Sequence, residues 1–150
     1  MNRRALIRMS AEEALDFLAE QKTVTLATNG RDGWPHLMPI WYVLRDGQLW
    51  GWTYAKSQKA RNLERDPRAT LQVEAGMEYQ ELRGVMLRTD AVLHREPEVI
   101  EGIAIELVDR YGGGDPAREV FRAQVPKRVG LEFVERDRVS WDHGKLGGTY

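Results

Sequence analysis

Lys56, Ser57, Lys59 and Arg61 fall close together in the run "AKSQKARNL", where a strand-like stretch gives way to a helix-like one. The first amide N–H groups of a helix have no partner inside it, and the helix dipole adds partial positive charge at the same end. Ser57 supplies a hydroxyl there and Lys59 a full charge in the first turn. Lys56 lies just outside, and Arg61 one turn further on. Such a corner suits an anion, and a phosphate dianion in particular. It also has an ordinary account, because serine is a common cap and cations on a short surface helix are commonly solvated. The glycines of a P-loop are missing.

Four of the five tryptophans, Trp34, Trp41, Trp50 and Trp52, lie between residues 34 and 52, just before this corner. They fill a hairpin core or form a flat surface for a planar ligand or a second subunit. Trp41, Tyr42 and Trp52 would then be the wall beside the phosphate. Other chemistry is thinly represented. His36, His94 and His143 lack metal-ligand spacing, and no metal site is expected. Ser140, Asp142 and His143 are too close along one strand to face one another as a triad. Tyr42, Tyr79 and His143 are candidate proton donors, with core packing, a loop anchor and a solvated strand end as their plainer roles.

The elements that must position these residues read in order. "SAEEALDFLAEQ" opens on Ser10 with Glu13 three residues on, a capping box ahead of an amphipathic helix. "TVTLATN" alternates as a strand, "HLMPIWYVL" is a second whose Pro39 marks an edge or bulge, and "QLWGWTY" returns after "RDG". A short helix follows Ser57 and stops before Pro67. "ATLQVEA" and "GVMLRTDAVLHR" are two more strands. "PEVIEGIAIELVDRY" is a helix ended by glycines, with Val99, Ile103 and Leu107 on one face. Asp115 then caps a short helix with Pro116 first inside it, and "RVGLEFVERDRVSWDH" is a closing hairpin. Hairpin connections predict a mainly antiparallel sheet with peripheral helices, closed into a small barrel.

One hundred and fifty residues, 42% hydrophobic and 30% charged, describe a single globular domain over residues 1–150. A net charge of −1 gives no overall attraction to nucleic acid or anionic lipid, so a cationic site must be local. There is no cysteine, which excludes disulfides and a thiol nucleophile. No stretch reads as a signal peptide or a membrane span, so a cytoplasmic protein is expected.

The run from Gly33-Trp34-Pro35-His36 through Pro39-Ile40-Trp41 and Trp52-Thr53 to Ser57-x-Lys59-x-x-Asn62-Leu63 and Asp66-Pro67-Arg68 resembles the pyridoxamine 5′-phosphate oxidase-like family of FMN-binding split barrels. The similarity spans about Glu12 to Val92, and the ending "SWDHGKLGGTY" resembles the branch that uses the deazaflavin coenzyme F-420. The resemblance implies a six-stranded antiparallel split β-barrel that forms a homodimer, with cofactor clefts between subunits. It assigns Ser57 and Lys59 to the phosphate, Trp52 and Thr53 to the ribityl and phosphate region, Pro39, Ile40 and Trp41 to the ring, and His36 to a cofactor contact. It implies hydride transfer between a small organic substrate and either FMN or, favoured by the branch, coenzyme F-420. Lys56, Arg61 and Lys145 are cations for the longer tail of the latter. Gln58, where the vitamin oxidase carries arginine, and the lack of its arginine-rich C-terminal segment argue against pyridoxamine phosphate as substrate. A flavin carrier, or a haem protein with His36 or His143 as axial ligand, is the alternative.

Overall fold

The computed structural model describes residues 2–148. After a one-turn helix α1 (Arg3–Leu6) come α2 (Ala11–Glu20), β1 (Val24–Asn29), β2 (Pro35–Ile40), β3 (Val43–Arg45), β4 (Gln48–Tyr54), α3 (Gln58–Arg65), β5 (Arg68–Ala75) and β6 (Arg83–His94). The chain continues with α4 (Pro97–Tyr111), α5 (Gly114–Gln124) and β7 (Arg128–Asp142). The capping box forms as expected: Glu13 N–H donates to Ser10 Oγ at 3.1 Å, and Ser10 N–H to Glu13 Oε2 at 2.7 Å.

Seven strands form one antiparallel sheet in the order β2-β1-β5-β6-β7-β4-β3. Its edges, β2 and β3, are consecutive in the chain and only Trp41 and Tyr42 lie between them. Six gaps of about 4.8 Å would hold the edges of a flat sheet roughly 29 Å apart. Three peptide steps reach only about 11 Å. The sheet must therefore roll until its edges approach. At Gly51 of β4 a Cβ would stand 3.2 Å from the Trp41 carbonyl oxygen and 3.4 Å from Ile40 Cδ1, so the end of β2 lies against β4.

Seven strands stand where six were expected, in an open rolled sheet with no ladder joining β2 to β3 among the described residues. Counted element by element the sequence also offers seven strands, and two of those assignments change in ways that leave the count the same. The expected second strand breaks at Trp41-Tyr42 because Tyr42 turns into the core, fully buried. The expected closing hairpin is one strand of fifteen residues, and its "ERD" stretch is a bulge opposite Arg88 and Thr89 that lets β7 follow β6 along its whole length. Asp115 does not cap α5 either. Gly113, at φ 112°, precedes a helix that already begins at Gly114. Of "SWDHGKLGGTY", Thr149 and Tyr150 lie outside the described residues.

Phe17, Leu18, Val24, Leu26, Leu49, Leu71, Leu131 and Phe133 fill the interior of the roll. Ile103 and Leu107 of α4 cover Val43 on the outside, with Trp50, Trp52 and Phe121 at their rim. None of the four clustered tryptophans is fully buried, so hairpin core is not their role.

The phenol of Tyr42 donates to Leu18 O at 2.6 Å, with Gln21 O at 3.0 Å. Burial pushes it up from 10.0 to about 12, against the pull of the Arg110 guanidinium. The folded chain thus holds this proton more tightly than the unfolded one. The stability it carries is complete below pH 10 and is lost as pH climbs from 10 towards 12. In urea titrations, wild type is expected to lose its lead over Tyr42→Phe across that interval; a lead independent of pH would contradict the assignment.

Candidate functional site

β4 ends at Tyr54 and α3 begins at Gln58, with Ser57 as its cap. Ser57 Oγ accepts from Ala60 N–H at 3.3 Å and stands 3.1 Å from the hydroxyl of buried Thr53. The amides of Gln58 and Lys59 start the helix ahead of its ladder and face the same corner. The inward alternation of Leu49, Gly51 and Thr53 along β4 leaves Trp50, Trp52 and Tyr54 on the other face.

Lys59 is half-buried, and its ammonium is held below the ordinary value, first by burial and then by Arg128. Arg128 opens β7 directly opposite Tyr54 and is itself held below its ordinary value by burial. Its guanidinium lies 4.5 Å from the Trp52 ring centroid and 3.6 Å from that of Tyr54, and it donates to Gln124 Oε1. Among the described residues neither cation has a carboxylate partner. Two desolvated positive charges that repel each other beside a helix N-terminus make a site that an anion would relieve. Arg128 is invisible to local sequence reading: it lies 69 positions after Lys59 in the chain, and only the β4–β7 pairing brings it there.

The other expected residues divide between places. Trp52 joins the corner, but its ring already packs on Phe121 (centroids 5.2 Å apart) as well as on Arg128. Pro39, Ile40 and Trp41 lie on the β2 edge where it meets β4. The Trp41 indole stacks on Tyr111 at 4.3 Å with planes 6° apart, and 49% of it remains exposed. Lys56 is exposed in the turn before Ser57. Lys145 is drawn elsewhere, donating to Glu13 Oε2 at 2.6 Å and Arg8 O at 3.0 Å.

His36 and Arg61 line a cleft of about 990 Å³ between the β1–β2 turn and the opposite face of α3, together with Trp34, Gln58 and Arg65. His36 Nδ1 is buried there without a hydrogen-bond partner among the described residues. Asn62 closes the floor by donating to Thr28 Oγ1 at 3.0 Å. Arg61 has no ion pair among the described residues, whereas Arg65 is spent on Asn29 O and Asn62 Oδ1. Of the candidate proton donors, Tyr42 is sealed in the core. Tyr79 and His143 pack edge to face at 4.5 Å, with His143 Nδ1 3.1 Å from Tyr79 O.

The model of the pyridoxamine 5′-phosphate oxidase family matches residues 10–135. No curated protein matches the chain. Among solved structures, the conserved hypothetical protein Rv2991 from Mycobacterium tuberculosis is 42% identical, with a TM-score of 0.89 over 97% of this chain and 92% of that one. An F420 reductase is 22% identical, with a TM-score of 0.67 over 82% of this chain and 93% of its own. The heme storage protein HutZ from Vibrio cholerae is 17% identical, with a TM-score of 0.69 over 85% and 92%. At those last identities the likeness is one of fold.

The Lys59 charge has opposite consequences with and without an anion. Its depressed pKa means that the folded chain binds the proton less tightly than the unfolded chain, so the ligand-free protein carries a cost at neutral pH that fades as pH rises towards 10.5. Lys59→Met is therefore expected to raise the thermal midpoint of the ligand-free chain at pH 7. The same change should weaken FMN binding by about 1.5–3 kcal/mol, the range for a hydrogen bond to a charged group. Calorimetry and FMN titration on both proteins check the pair; a lower midpoint with unchanged affinity would remove Lys59 from the site.

Proposed function

Because the chain belongs to the pyridoxamine 5′-phosphate oxidase family, we propose that it is an oxidoreductase that holds FMN or coenzyme F-420 by its phosphate and acts on a small organic substrate. The observation that carries this reading is the Lys59–Arg128 pair, two half-buried cations at the start of α3 without a counter-ion among the described residues. Ser57, the Gln58 and Lys59 amides and these two cations are the residues that would hold the phosphate. The Pro39–Trp41 backbone and indole would support the ring. When bound, such a cofactor supplies a ring that gives or takes a hydride. The chain contributes orientation, exclusion of water from one ring face, and charge at the phosphate.

Coenzyme F-420 is the better fit of the two. It carries a carboxylate-rich tail that FMN lacks, and Arg61 faces a wide cleft beside Arg31 and Arg65. The tail would run from the start of α3 along that face, with Lys56 at its mouth. A specific feature favours haem as a second reading, namely the unpartnered Nδ1 of His36 in the same cleft.

The β2 edge supports assembly as a homodimer in a split-barrel arrangement. Leu37 and Met38, exposed at 57% and 42%, lie on a strand whose outer side has no pairing partner among the described residues, and Trp34, exposed at 76%, immediately precedes it. An apolar edge of this kind is covered by a partner or aggregates. No feature of charge or surface calls for nucleic acid or a membrane, and no helix among the described residues is long and apolar enough to cross one.

Purification from a host that makes both cofactors is expected to yield a deazaflavin absorbance band with the tail attached; a Soret band instead would establish the haem reading. Reoxidation of the reduced protein by quinones or enones separates an enzyme from a carrier. Light scattering should give about twice 17.3 kDa at micromolar concentration. A 17.3 kDa species alone would rule out a cleft shared between subunits.

A further inference from the structure

We propose that Tyr111, the last residue of α4, is a positioning residue that holds the Trp41 indole as a fixed platform for the ring of the bound cofactor; this rests on the cofactor reading above. Each of Trp34, Trp41, Trp50 and Trp52 is a possible flat support, and their surroundings separate them. Trp50 lies between His94, at 5.1 Å, and the Arg45 guanidinium, at 4.6 Å. Trp52 lies between Phe121 and Arg128. Trp34 is 76% exposed and stacks on no ring among the described residues. Trp41 alone has one face covered by a nearly parallel ring and about half its surface open.

Tyr111 is tied down at both ends. Its hydroxyl accepts from Tyr42 N–H at 3.0 Å and has Lys22 O at 2.6 Å as acceptor for its single proton, with Tyr42 O at 3.0 Å. Lys22 Nζ lies 5.3 Å from the centroid of its ring and donates to Arg110 O at 3.1 Å. One side chain therefore fixes the backbone just after Trp41 with its hydroxyl and the indole plane with its ring. An exposed tryptophan loses rotamer freedom when a ligand stacks on it, and that loss subtracts from affinity. Tyr111 removes the loss in advance. A planar ring arriving on the open face then completes a three-layer stack, Tyr111–Trp41–ligand. The glycines that follow, with Gly112 at φ 91°, end α4 at the residue that meets the crossing.

FMN is the probe, because indole stacking quenches flavin fluorescence. Tyr111→Leu is expected to weaken FMN at least tenfold, to leave the competition constant of inorganic phosphate within twofold, and to make the residual bound flavin brighter. Tyr111→Phe keeps the ring and loses the hydroxyl; it should restore quenching and cost about threefold. In the Trp41→Leu background, Tyr111→Leu should add less than twofold, because both act through one platform. Tyr111→Leu with wild-type affinity and quenching would overturn the proposal while leaving the cofactor reading intact. Should the leucine variant not fold, a Tyr111→Phe protein indistinguishable from wild type would overturn it equally. Wild-type protein that binds neither FMN nor coenzyme F-420 would overturn both.

Discussion

Two residues carry the chain from one edge of a seven-stranded sheet to the other, and this short crossing constrains everything around it. A flat sheet cannot satisfy it, so the sheet rolls, and its interior becomes the single core of Phe17, Leu26, Leu71, Leu131 and Phe133. The crossing is held from three directions. Tyr42 plunges into the roll and bonds the end of α2, while Arg110 of α4 donates to the same carbonyls at Leu18 and Gln21. Tyr111 holds the crossing from outside. Neighbouring residues thus do opposite work: Tyr42 is core and Trp41 is surface, a consequence of the break in extended backbone between them.

The corner at α3 is built on a different balance. A domain of this size has only a small surplus of stability, and two half-buried cations set side by side draw on it. Their neighbours soften the cost without cancelling it, since Trp52 and Tyr54 offer their ring faces to Arg128 and Gln124 accepts from it. A carboxylate at that place would neutralise the corner and close it to an anion. The acids at the far end of α3 are committed elsewhere: Glu64 pairs with Arg95, and Asp66 with Arg68, whose guanidinium and the Asn29 amide hold the Asp66 carboxyl well below the usual range.

Much of this was legible along the chain. The capping box at Ser10, the helix start at Ser57, the stop before Pro67 and the two long strands are local matters of capping, backbone restriction and period-two alternation, and they stand where the residues put them. Readings that failed were those where two local signals compete. "HLMPIWYVL" alternates like one strand, yet the strand stops after Ile40 and Tyr42 turns into the core. "VERDRV" looks like a turn by its polarity, but it forms a bulge and stays paired to β6.

The site shows the same division. Residue type and spacing by themselves determined that Ser57 and Lys59 share a helix start, since capping acts over three or four residues and is written in consecutive letters. They could not place Arg128 beside Lys59, send Arg61 and His36 into a cleft on the far face of α3, or tie Lys145 to Glu13. Those contacts join segments tens of residues apart, and their geometry exists only once strand pairing has chosen which distant side chains become neighbours. Tertiary structure also decided which tryptophan keeps an open face, because that depends on what the last turn of α4 brings to the other side of the ring.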